Sequence, residues 1–92
     1  MTALADLRKF YINGQWVDPA NPRDLEVIDP STEEPVAVIS LGSQADTDAA
    51  VAAAKAAFPA WSETPPETRL AYVEKILDIY RRRAPDMARA IS

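Results

Sequence analysis

From Leu70 to Ile91 the apolar residues Leu70, Val73, Leu77, Tyr80, Ala84, Met87 and Ile91 recur at alternating steps of three and four. That spacing puts them on one face of an α-helix. Tyr72, Ile76 and Ile79 widen the face beyond a narrow seam, which suits packing against a body of protein. The stripe is still running at Ser92, and no Gly, Asn or terminal Pro closes it. The helix therefore reads as cut rather than finished, and the chain as the front end of something larger.

A chain of 92 residues suffices for one small domain, but at this size only about 60–65% of the unfolded surface is buried on folding. Apolar content of 48% and charged content of 26% are those of an ordinary globular protein. A net charge of −4 argues against an electrostatic footprint for nucleic acid. The basic cluster Arg81-Arg82-Arg83, with Arg89 beyond it, is interleaved with Asp78 and Asp86 and reads as a solvated helix face.

The missing residue types constrain function further. With no Cys there is no disulfide, thiolate nucleophile or thiolate metal site. With no His the commonest general base and metal ligand is gone. The two glycines, Gly14 and Gly42, cannot form a Gly-rich phosphate cradle. Met1 to Arg8 shows no basic-then-apolar signal pattern, and no run approaches the roughly 18 apolar residues of a membrane span. A cytoplasmic location, away from membranes, is the expectation.

Taken in order, residues 1–8 lack periodicity and read as a lead-in. Lys9 to Val17 reads as two short strands around Asn13-Gly14, a dipeptide suited to the two positive φ angles of a type I′ hairpin turn. The prolines at 19 and 22 make a loop. Leu25 to Ile28 is extended and is closed by Asp29-Pro30. From Pro35 to Ser40, Val36, Val38 and Ser40 alternate with Ala37, Ile39 and Leu41, so both faces of this strand call for cover.

After Gly42, Ser43 caps a helix, with Asp46 in a capping-box position. The helix is expected over 43–58, with Pro59 helping to end it. Its apolar residues are nearly all alanine, so each buries little area. Phe58 and Trp61 form a corner. Thr64 is expected to cap the next helix, with Pro65 in its first position and Glu67 completing a capping box. An interior proline costs roughly 3 kcal/mol, so Pro85 predicts a break near 84–85 in the segment 64–92. Carboxylate pairs such as Glu33-Glu34, Asp46 with Asp48 and Glu63 with Glu67 fall at turns and helix starts, where capping and solvation account for them. No catalytic residue emerges.

The order of these segments is nonetheless informative. Phe10-Tyr11-Ile12-Asn13-Gly14-Gln15-Trp16-Val17 followed by Val27-Ile28-Asp29-Pro30-Ser31-Thr32 resembles the opening of the NAD(P)-dependent aldehyde dehydrogenase superfamily. The run Asp46 to Phe58, then Trp61, Pro65-Pro66, Arg69 and the long helix, resembles that family's next elements. The resemblance covers residues 9–92. Asp29 stands where the family has Asn, and Glu33-Glu34-Pro35 replaces the Gly of its turn.

The resemblance implies an α/β fold, with residues 9–92 as an incomplete N-terminal part of a Rossmann-like dinucleotide-binding domain. Locally it would be α+β, about three short strands over 9–41 and then two to three helices at the domain's periphery. It also implies oxidation of an aldehyde to an acid through a Cys thioester, with NAD or NADP as cofactor, in a homo-dimer or homo-tetramer. The residues that do this chemistry or bind the cofactor would all lie beyond Ser92. Within the chain, only the backbone carbonyls of Val27 and Ile28 match positions that bind a monovalent cation in some family members. The competing expectation is a free-standing, non-catalytic α+β interaction or scaffolding module. Such a module should bury and cap the stripe.

Overall fold

The computed structural model describes residues 4–92. Its elements are β1 (Ala5–Leu7), β2 (Phe10–Ile12), β3 (Gln15–Val17), β4 (Asp24–Ile28), β5 (Pro35–Ser40), α1 (Gln44–Ser62) and α2 (Pro66–Ile91). Two compact units divide the chain, Met1–Phe58 and Pro59–Ser92.

In the first unit, the hairpin forms where its turn chemistry dictates. Asn13 and Gly14 take φ of 55° and 75°, and β2 pairs antiparallel with β3. Tyr11 stands opposite Trp16, with ring centroids 5.1 Å apart and tilted by 56°, a favoured aromatic geometry. The second sheet has the order β1-β5-β4. β5 is its centre, antiparallel to β4 and parallel to β1 through Ala5↔Ala37 to Leu7↔Ile39.

The lead-in expectation for residues 1–8 is therefore corrected over Ala5–Leu7, which is a strand; residues 1–3 lie outside the described part. Ala-Asp-Leu carries no local strand signal, and its conformation comes from pairing with β5. Five strands are present among the described residues, four of them within 9–41, and two helices follow.

β5 is where this unit has its core. Ala37 on one face and Ser40 on the other are the buried residues, while Val38 and Ile39 are half-buried and Val36 is 46% exposed. The Ser40 hydroxyl accepts from the Arg23 N–H and donates to the Leu41 carbonyl, both at 3.2 Å, so its burial leaves no polar atom unpaired.

The turn from Asp29 to Glu34 closes with the Asp29 N–H donating to Glu34 O (2.9 Å) and the Glu33 N–H to Asp29 O (2.7 Å). Glu33 sits at φ 61°, in the left-handed region. A residue with a Cβ is disfavoured there by about 1–2 kcal/mol. Glycine relieves this but loses more chain entropy on folding, so Glu33→Gly should stabilise the turn by about 1 kcal/mol net. The measurement is hydrogen exchange at the Asp29 amide, which should slow about fivefold; unchanged exchange would show that the turn is not strained.

α1 begins as its capping box requires. Asp46 Oδ2 accepts from the Ser43 N–H (2.9 Å), while Ser43 Oγ accepts from the Asp46 N–H (3.4 Å). Its far end departs from the expected stop at 58, because the helix passes through Pro59 to Ser62. A proline leaves the carbonyl four residues back, that of Lys55, without its helical donor, while the carbonyls that follow keep access to theirs. Here Ser62 Oγ donates to Pro59 O (2.8 Å) and Thr64 Oγ1 to Ala60 O (3.2 Å).

In the second unit, Thr64 is not the cap of α2. Its hydroxyl is spent on Ala60, Pro65 holds the cap position with φ −59° and ψ 148°, and no side chain caps the helix. Trp61 and Tyr72 stack at 5.8 Å, tilted by 49°. The expected break near 84–85 is also absent, since α2 is continuous from Pro66 to Ile91. Asp86 accepts from Arg83 Nε at 3.3 Å and from an Arg89 guanidinium nitrogen at 2.9 Å across the turns on either side of Pro85. These exposed pairs contribute about 1 kcal/mol at most and offset only part of the proline's cost of roughly 3 kcal/mol. Neither helix contains a buried residue. The stripe is bare, with Leu70 58% exposed, Ile76 65% and Ile91 80%, an exposed apolar face of the kind that marks an interaction surface.

Candidate functional site

Val27 and Ile28 are the residues singled out as cation ligands. They end β4, on the edge of the three-stranded sheet, and the ladder with β5 is irregular between them: Val27 pairs with Ala37 and Ile28 with Pro35. Pro35 has no N–H to give the ladder at that point. Both residues are partly exposed, at 38% and 50%. Two carbonyls fall well short of the roughly six oxygens a hard cation gathers. Among the described residues no three His, Cys, Asp or Glu side chains cluster to hold a metal.

The better-organised polar centre is Asp46. Besides its three bonds with Ser43, its Oδ1 accepts from the Ala20 N–H at 2.9 Å, tying the proline loop after β3 to the start of α1. These bonds, the Ala20 N–H foremost and then that of Ser43, hold its carboxyl below the ordinary carboxylate range. A lowered folded pKa means that the contribution is present above the unfolded value near 3.8 and is lost as pH falls through the folded one. Protection of the Ala20 amide against exchange, normalised to its intrinsic rate, should therefore hold at neutral pH and collapse in acid. Asp46→Ala should erase it at every pH, and retention in that variant would refute the tether.

A second centre was hidden in the presumed lead-in. Arg8 bonds both Asp6 oxygens at 2.9 Å and reaches Asp24 Oδ2 at 3.3 Å. The Arg8 guanidinium pulls the Asp6 carboxyl down to about 2. The motif Asp-x-Arg was readable, but Asp24 is 16 residues from Arg8, and nothing local announces that pairing. These groups are exposed, one guanidinium shared by two carboxylates, and they link β1 to β4.

Of the open grooves among the described residues, two run along the helices. One of about 360 Å³ lies between the hairpin turn and α1, lined by Tyr11 to Gly14 and Ala50, Ala53, Ala54 and Ala57. The other, about 290 Å³, follows α2 along Tyr80, Arg83, Asp86, Met87 and Ala90. Neither gathers a nucleophile with a base.

The residues present also do not fit a dinucleotide. Gly14 is committed to the hairpin turn, and Gly42 stands alone, without the further glycines of a phosphate-binding loop. At the start of α1 the Ser43 N–H already serves the Asp46 carboxylate, whose charge repels a phosphate. No step through the cofactor can be assigned to this chain's residues.

Known proteins resemble this chain over most of its length. The model of the aldehyde dehydrogenase family matches residues 16–92. A 3-succinoylsemialdehyde-pyridine dehydrogenase from a Pseudomonas species is 43% identical over 97% of this chain and 19% of its own length. The crystal structure of an aldehyde dehydrogenase from Bartonella henselae is 61% identical with a TM-score of 0.94, covering 97% of this chain and 19% of that one. Aldehyde dehydrogenase C from Pseudomonas syringae, a mutant solved with NAD+ and octanal, is 47% identical with a TM-score of 0.89, over 92% of this chain and 18% of its own. The chain thus spans about a fifth of its relatives' length, their N-terminal part, with their mixed α/β start of short strands followed by two helices. By sequence and by fold, it belongs to the aldehyde dehydrogenase family.

Proposed function

We propose that these 92 residues are the N-terminal scaffold of an enzyme that oxidises an aldehyde to a carboxylic acid with NAD(P)+. The observation that carries this reading is the bare face of α2, an apolar stripe from Leu70 to Ile91 with no buried residue, in a chain that matches about 19% of its relatives. A helix so patterned gains little from standing in water, and each apolar side chain covered contributes about 1.5–3 kcal/mol. The parent's remaining residues are the cover. They would also supply the Cys nucleophile, the Gly-rich turn for the pyrophosphate and the rest of a cation site begun by Val27 and Ile28. A homo-dimer or homo-tetramer is the assembly that goes with this reading.

The test is to read the coding sequence past Ser92, express the whole product and follow aldehyde-dependent reduction of NAD+ and NADP+. A Cys-bearing continuation and aldehyde-dependent reduction are expected. A product lacking such a continuation, or one inert to aliphatic and aromatic aldehydes with both dinucleotides, would defeat the reading.

A further inference from the structure

We draw no further inference here: the strongest candidate, the exposed apolar face of α2 from Leu70 to Ile91, belongs to the reading already proposed, and nothing else in the structure shows what covers it.

Discussion

Leu77→Asp should destabilise the parent enzyme by about 3 kcal/mol or more and leave the helicity of the 92-residue chain nearly unchanged. Leu77 is at the middle of the α2 stripe and is 45% exposed in this chain. If the parent covers that face, the substitution removes a buried Leu, worth about 2–5 kcal/mol when truncated, and leaves a carboxylate that must be desolvated or protonated. In the isolated chain neither loss arises. Only the difference in helix propensity remains, about 0.5 kcal/mol. Chemical denaturation of the parent and circular dichroism of the short chain read the two effects separately. Lys75→Asp, off the stripe on the same helix, is the control and should stay within about 0.5 kcal/mol in the parent. Equal tolerance of Leu77→Asp and Lys75→Asp in the parent would mean that the stripe is not covered.

How far the fold could be read in advance depended on the range of the interactions that set it. The Asn13-Gly14 turn, β5 from Pro35 to Ser40 and the Ser43–Asp46 capping box are each decided within a few residues, and each stands where the sequence places it. β1 is decided by a partner about thirty residues away, and Ala5-Asp6-Leu7 has neither the alternation nor the branched side chains of an independent strand. Both interior prolines lie in helices that continue through them. Near Pro59 the hydroxyls of Ser62 and Thr64 take up carbonyls at the helix end, and around Pro85 the exposed Asp86 pairs with Arg83 and Arg89 span the turns but contribute little.

The site was legible in a different way. The absence of Cys and His is plain in the sequence, and with it the absence of a thioester nucleophile or histidine base within these residues. The Glu33-Glu34-Pro35 departure from the family's turn was also visible. Its consequence was not, since a left-handed φ at Glu33 follows from the closure of the Asp29 turn rather than from any preference of glutamate. Val27 and Ile28 could be placed only through family resemblance, because backbone carbonyls carry no side-chain signature. The capping role of Asp46 is local and legible, whereas its bond to Ala20 depends on a contact 26 residues away.

The most direct test of the account is a thermal melt of the 92-residue chain, followed by circular dichroism and by an apolar dye over a range of protein concentrations. Burial in the first unit centres on Ala37 and Ser40, and neither helix buries a residue, so little apolar area is removed from water to oppose the entropy of ordering the chain. The expected result is a broad, non-cooperative loss of helix, with dye bound before heating begins. A sharp two-state transition of a monomer, with no dye bound in the folded state, would show that the chain completes its own core, and would contradict the claim that α2 is built to be covered by the rest of an aldehyde dehydrogenase.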